Sequence, residues 1–167
     1  MAIKIVELED AMIPQFKAFV SQIFPDQSPF EKLSFWVHKH RKNPLIKIAV
    51  RLYGTMEISK YWIALDDNGN ICGTTGIYTK NKDKHEAFWL SWFCVAKEMR
   101  GQGIGKLLIE FTTNIAEEQG KKYLRLYTSD DPNEAAAQSL YEKYGFKIVR
   151  TKKKGKDVFI YREKILA

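Results

Sequence analysis

Cysteine is scarce in this chain, with only Cys72 and Cys94 among 167 residues. Two thiols cannot staple a small secreted domain, so a cytoplasmic location is the expectation. Together with His38 and His40, Cys94 has no metal-ligand spacing, and no metal is expected. Long apolar runs are missing too. None approaches the ~20 residues that a membrane-spanning helix requires, so no membrane partner is expected. The opening residues, Met-Ala-Ile-Lys-Ile-Val-Glu, alternate like a strand and lack the apolar block and cleavage site of a signal peptide. Repeats, low-complexity stretches and linkers are absent as well, which leaves one domain over residues 1–167.

What is present is a globular mixture, 45% hydrophobic and 28% charged, in a chain long enough to bury a substantial core. The formal net charge is +7. That excess raises a nucleic-acid reading, but the basic residues are dispersed along the chain. The one dense run, Lys152-Lys153-Lys154-Gly155-Lys156, lies between two strand-like segments, 146–151 and 158–162. A solvated hairpin tip accounts for it, and no aromatic-interleaved basic helix or zinc signature accompanies it. Nucleic acid is therefore not an expected partner, and the positive potential favours an anionic ligand instead.

Apolar periodicity divides the chain into elements. Residues 3–8 read as a strand, 10–24 and 29–41 as helices, and 46–52 and 61–66 as strands around a turn at Gly54-Thr55. Asp66-Asp67-Asn68-Gly69-Asn70 is a hairpin turn, with a strand returning over 71–79. Residues 85–96 are nearly continuous in apolar side chains, the mark of a strand buried on both faces. A helix follows with Ile104, Leu107, Leu108, Phe111 and Ile115 on one face, closed by Gly120. A strand at 122–128 then implies a parallel βαβ pair. Asp131-Pro132-Asn133-Glu134 reads as a capping box opening a helix that stops at Gly145, and a final hairpin follows. The fold class is α/β: one mixed, mainly antiparallel sheet with one parallel crossover and helices on both faces.

Between the buried strand and the following helix stand Arg100-Gly101-Gln102-Gly103-Ile104-Gly105. Strand, glycine-rich turn and helix place backbone N–H groups around an anionic phosphate at a positive helix end. A nucleotide-binding Walker A loop is excluded, because Arg100 holds its first glycine position and Leu107 follows Gly105-Lys106 in place of Ser or Thr. A dinucleotide fingerprint is excluded by Lys106, which stands where a third small residue belongs. Kinase companion motifs are absent.

What remains, Arg-x-x-Gly-x-Gly, resembles the acyl-CoA pyrophosphate loop of the GNAT superfamily of N-acetyltransferases. A second motif, Leu140-Tyr141-Glu-Lys-Tyr-Gly145-Phe146, follows in the order and at the distance seen in that superfamily. The resemblance is close over residues 88–150 and looser over most of the chain. It implies a GNAT-like fold, acetyl-CoA as cosubstrate and direct transfer to a primary amine in a ternary complex. It implies that the backbone amides of Gln102, Gly103, Ile104, Gly105 and Lys106 hold the pyrophosphate, with Gly101 shaping the turn and Arg100 adding charge. The pantetheine arm would run along Phe93, Cys94 and Val95, with the Phe93 N–H polarising the thioester carbonyl. The superfamily often has Asn seven residues before the tyrosine; here Glu134 holds that place and Asn133 lies one further back, as a weaker CoA contact.

Tyr141 is the candidate general acid. A phenol with an unperturbed pKa of about 10 is protonated at neutral pH and can donate to a departing thiolate of pKa about 8.5. Its competing role is a ring packed on the core face with its hydroxyl at the edge. No base is singled out: some superfamily members carry a glutamate four residues before the polarising amide, and that place is Trp89 here. Glu57, His85, Glu86 and a water chain are the alternatives. Trp62, Trp89 and Trp92 suit either an acceptor pocket or the core, and Cys94 reads as a small buried thiol, not an acyl carrier. The acceptor region, about residues 20–60 by resemblance, holds Phe24, Phe30, Phe35, Trp36 and Tyr53 in no motif that names an amine. A catalytically silent CoA-binding sensor or interaction module is the alternative function. Homodimers are common in the superfamily, and nothing here selects an interface.

Overall fold

A hairpin starts the sheet because Asp66 is followed by Asn68, Gly69 and Asn70. In a computed structural model, which describes residues 2–25, 43–45, 48, 59–130, 134–155 and 157–167, Asp66 Oδ1 accepts from the Asn68 and Asn70 amides at 2.9 and 2.8 Å. Gly69 takes the positive φ of 79° that the turn requires. The turn joins β2 (Ser59–Leu65) to β3 (Ile71–Tyr78), and β1 (Lys4–Glu7) adds to β2 antiparallel. Strand β4 (Ala87–Val95) pairs antiparallel with β3 and parallel with β5 (Tyr123–Ser129). The last hairpin, β6 (Lys147–Lys154) and β7 (Asp157–Ile165), completes a seven-stranded sheet in the order β1-β2-β3-β4-β5-β7-β6. Among the described residues its single parallel pair, β4 with β5, is the crossover that the sequence implies.

Alternation along the strands gives the sheet two apolar faces. On one, Tyr61 and Ile63 of β2 pack with Leu8 and with Ile13, Phe16 and Val20 of α1 (Ile13–Ile23). On the other, Trp62, Ile77, Phe88, Leu90, Leu124 and Leu126 cover Ile109 and Ala116 of α2 (Ile104–Glu118), together with Tyr141 of α3 (Ala135–Lys143). Full burial of a side chain such as Phe16 is worth about 1.5–3 kcal/mol. Helices on both faces of one mixed sheet match the fold class read from the sequence.

Several boundaries differ from the periodicity. The first helix is split: Asp10–Met12 form a 3-10 turn and α1 begins at Ile13, because Pro14 lacks an N–H and is tolerated only in the first helical turn. The strand expected over 46–52 is not borne out at Ile48, which is helical like Pro44 and Leu45; the rest of it, the helix over 29–41 and the turn at Gly54-Thr55 lie outside the described residues. Asp131, Pro132 and Asn133 of the capping box lie outside the described residues. Glu134 stands at the N-cap of α3, and its carboxylate accepts from the Ser129 N–H and hydroxyl at 2.9 and 3.0 Å. Lys152, Lys153 and Lys154 belong to the edge strand β6, paired with Phe159, Val158 and Asp157, so the basic run extends from the tip along a charged sheet edge.

Candidate functional site

The site begins where β4 leaves β5. The two strands pair through Ala87, Phe88 and Trp89, opposite Tyr123, Leu124 and Arg125, and then separate. Just beyond, β4 bulges. Ser91 pairs with Gly76 and Cys94 with Thr74, so Trp92 and Phe93 together face Thr75 alone. Trp92 adopts φ 46°, the only positive φ of a non-glycine residue among those described. The Thr74 hydroxyl, fully buried, donates to the Trp92 carbonyl at 2.5 Å and lies 3.2 Å from Cys94 Sγ. The bulge therefore has a side-chain clamp, and Thr74 is a residue the motifs do not point to.

At the end of β4 the chain makes a 3-10 turn, Lys97–Met99, and enters the glycine loop. Gly101 and Gly103 take φ of 79° and 84°, where any other side chain is strained. Gly103 caps α2 without a side-chain hydrogen bond, and the first intrahelical donor is the Leu107 amide, to the Gly103 carbonyl at 3.0 Å. The amides of residues 103–106 thus point out of the helix end without a helical acceptor. Ile104, buried with Leu108, Ala64 and Cys72, fixes this end to the sheet. Arg100 and Lys106 are exposed beside it; the Arg100 Nε donates to the Val95 carbonyl at 3.4 Å, and Lys106 faces Glu110 at 3.9 Å. Gln102 folds its side chain back toward the Glu98 carbonyl and Met99 sulfur, leaving its backbone for the loop.

Helix α3 closes the site. A Cβ on Gly105 would lie 3.2 Å from Leu140 Cδ2 and about one contact distance from Val95 and Phe93, so the glycine lets α2 approach both α3 and β4. The Tyr141 ring packs 5.6 Å from Phe93 and 5.7 Å from Phe146. Phe93, Val95, Gly105 and Tyr141, drawn from three elements, therefore converge. The packing reading of Tyr141 holds: its ring is core, only 3% exposed. Burial pushes the phenol well above its ordinary value, the charges of Glu134 and Cys94 add to this, and Arg162 opposes it. Burial likewise pushes the Cys94 thiol up to about 12, which removes it as a nucleophile at neutral pH.

Arg162 of β7 is a second residue that the sequence reading missed. It is 3% exposed and donates to Gln138 Oε1 at 3.1 Å, Glu142 Oε1 at 2.9 Å and the Phe146 carbonyl at 3.4 Å. It holds α3 on both sides of Tyr141. No local pattern signals such a contact, because β7 follows α3 by a whole hairpin.

Two of the candidate bases, Glu86 and His85, are among the described residues. Glu86 is bound to Arg125 at 2.9 Å and His85 is exposed. Trp62 and Trp89 are buried, and Trp92 packs against Phe24 with ring centroids 6.1 Å apart. Glu57, Asn133, Phe30, Phe35, Trp36 and Tyr53 lie outside the described residues.

Comparison with known proteins agrees with this fold. A family model described as "Acetyltransferase (GNAT) domain" matches residues 57–148. The chain is 30% identical over 118 residues to GCN5-related N-acetyltransferase 6, chloroplastic, of Arabidopsis thaliana; the match takes in 69% of this chain and 39% of that longer protein. Among solved structures, an acetyltransferase of the GNAT family from Staphylococcus aureus Mu50 superposes with TM-score 0.68 at 21% identity, over 97% of this chain and 99% of its own. The PaiA N-acetyltransferase from Thermoplasma acidophilum, solved in complex with coenzyme A, superposes with TM-score 0.65 at 19% identity over 99% of each chain. With more than half its length inside the matched domain, and with the glycine loop, the strand bulge and the tyrosine helix in one site, this chain belongs to the GNAT acetyltransferase family.

Proposed function

We propose that this chain is an N-acetyltransferase that moves the acetyl group of acetyl-CoA to a primary amine by direct attack in a ternary complex. The observation that carries the reading is the convergence of an unpartnered helix end at Gly103 with the opened edge of β4 at Phe93 and the Tyr141 hydroxyl. When bound, acetyl-CoA supplies an activated thioester carbonyl and a thiolate leaving group.

The chain's own residues suit the binding of that cosubstrate and the departure of its thiolate. The amides of residues 102–106 fit a pyrophosphate, since they present N–H groups at a positive helix end with Arg100 and Lys106 alongside. Asn133 is a weaker candidate contact. The backbone of Phe93, Cys94 and Val95, past its pairing with β5, offers polar groups to an amide-bearing pantetheine arm. The Phe93 N–H, in the bulge that Thr74 clamps, is the oxyanion-type donor. Tyr141 is held protonated by burial and donates its hydrogen bond to the departing sulfur. Its raised pKa makes full proton transfer to a thiolate of pKa about 8.5 uphill, so hydrogen-bond stabilisation of the sulfur comes first and solvent completes the protonation.

Calorimetry of acetyl-CoA binding to the wild type and to a Gly103→Glu/Gly105→Glu variant tests the reading. The glutamates add negative charge and side chains where the phosphate would lie, so the folded variant is expected to lose binding at least ~100-fold. Circular dichroism separates this from unfolding, and release of CoA thiol with a panel of amines then reports turnover. Failure of the wild type to bind any CoA ester sinks the proposal; binding without transfer favours the silent CoA-binding module.

A further inference from the structure

Trp89 and Arg125 are the last paired residues of β4 and β5, so they sit at the closed end of the gap that Phe93 and Tyr141 border further along. Phe88 and Leu124 point beneath α2, in the same cluster as Tyr141, and strand alternation turns Trp89 and Arg125 to the α1 face. On that face the Lys80 ammonium stands 3.1 Å from the Trp89 ring centroid and 5.6 Å from the rings of Tyr78 and Tyr127. Lys80 is half-buried, and among the described residues no carboxylate or carbonyl binds its nitrogen. The nearby acids are otherwise engaged. Asp83 accepts from Trp89 Nε1 at 3.0 Å and from Arg125 at 2.8 Å, and the same guanidinium holds Glu86 and Glu163.

We propose that Lys80 is the proton acceptor of the transfer, receiving through water the proton that the acceptor amine sheds at the gap between β4 and β5. It would work from the face of the sheet opposite the Tyr141 hydroxyl that attends the leaving sulfur. This rests on the transferase reading above. The amine nitrogen bonds to the acetyl carbon and the carbon–sulfur bond breaks. The sulfur leaves as thiolate and gains its proton from solvent, while the nitrogen's proton passes to neutral Lys80 Nζ and from there to bulk water. Burial pulls the Lys80 amine down to about 8; Lys82 and Arg125 push the same way and Asp83 opposes. Tyr78 beside it is pushed up by burial and stays protonated, and Tyr127 and Tyr161 stack next to it. The neutral, competent form of Lys80 therefore grows as pH rises through that value.

The test follows CoA thiol release with lysine, spermidine and tobramycin as acceptors, over a pH series, for the wild type, Lys80→Arg and Lys80→Met. Arginine keeps a cation over Trp89 but does not deprotonate, so a packing role tolerates it and a proton-accepting role does not. Both variants are expected to bind acetyl-CoA like the wild type, to lose ~100-fold or more in kcat, and to lose the rising limb centred near 8. A limb from the acceptor's own amine, wherever it titrates, is common to all three proteins and moves with the acceptor, whereas the Lys80 limb does not. If Lys80→Arg keeps the rate and the limb, Lys80 is a packing cation and the proposal falls while the transferase reading stands. If the wild type binds acetyl-CoA and acetylates none of the three amines, both fall in favour of the silent module. A wild type that binds no CoA ester removes the transferase reading at its first step.

Discussion

Tyr141 illustrates how one side chain serves packing and chemistry together. Its ring lies between Phe93 and Phe146. Removing its hydroxyl costs the fold little, because the ring contacts stay. Tyr141→Phe is accordingly expected to lower kcat by ~100-fold, at the low end for loss of an acid catalyst, with acetyl-CoA affinity and melting temperature nearly unchanged. Because burial raises the phenol's pKa, the wild-type rate should show no falling limb from Tyr141 across the neutral and mildly alkaline range. Thr74 presents the opposite case, a residue with a structural task beside the chemistry. Its hydroxyl satisfies the Trp92 carbonyl where the backbone has φ 46°. Thr74→Val keeps the shape and removes the donor, which should destabilise the protein by about 1–3 kcal/mol and reduce kcat more than acetyl-CoA binding. Urea unfolding and steady-state kinetics check the two halves. Tyr141 was readable because its motif is local. Thr74 was not, since it is 18 residues distant in sequence from the carbonyl it holds.

At the scale of elements, the legible parts are those whose geometry is written in consecutive residues. The motif Leu-Tyr-x-x-x-Gly-Phe is a helix ending. The Phe146 amide donates to the Tyr141 carbonyl at 2.9 Å, and Gly145 donates to Glu142 at 3.0 Å with φ 84°. This is the Schellman pattern, with the Phe146 and Tyr141 rings as its apolar contact. Glycine is needed for the backbone, phenylalanine for the contact, and tyrosine is thereby fixed at the inner turn of α3. Helix α2 ends the same way, with Lys121 donating to Ala116 and Gly120 to Glu117. Gly145→Ala forces a β-carbon into the left-handed region and should cost about 1 kcal/mol or more, measured by thermal or urea unfolding. Because the cap orients Tyr141, kcat should fall with it while binding at the α2 end is retained. By contrast, the bulge in β4 has no glycine to announce it, and the bond of the Glu134 carboxylate to Ser129 is not written in the motif before α3.

Across the whole molecule, topology assembles what the motifs only enumerate. The one parallel pair opens a gap in an otherwise continuous sheet, with Tyr141 bordering it from one face and Lys80 from the other. The element order was legible from periodicity and turn residues. The pairing of Lys80 with Trp89 was not, because it depends on how β3 and β4 lie side by side. The same burial that tunes these groups also sets how the fold responds to alkali. Cys94 has an ordinary thiol value of 9.0 and is pushed up to about 12 in the fold, with burial as the main cause and the Thr74 bond and Arg100 opposing it. A raised folded pKa means that the unfolded chain ionises first, so this stability is present below 9.0 and is lost between 9.0 and about 12. Lys80 acts with the reverse sign. Its folded value of about 8 lies below its ordinary 10.5, so the fold holds fewer protons than the unfolded chain and gains stability as pH rises between them. The two effects overlap, and stability should rise shallowly above about 8 and then fall once the thiol and the buried tyrosines dominate. Urea unfolding across an alkaline pH series should show Lys80→Met without the rise and Cys94→Ala with a shallower fall. Identical slopes in all three proteins would mean that neither group carries the linkage.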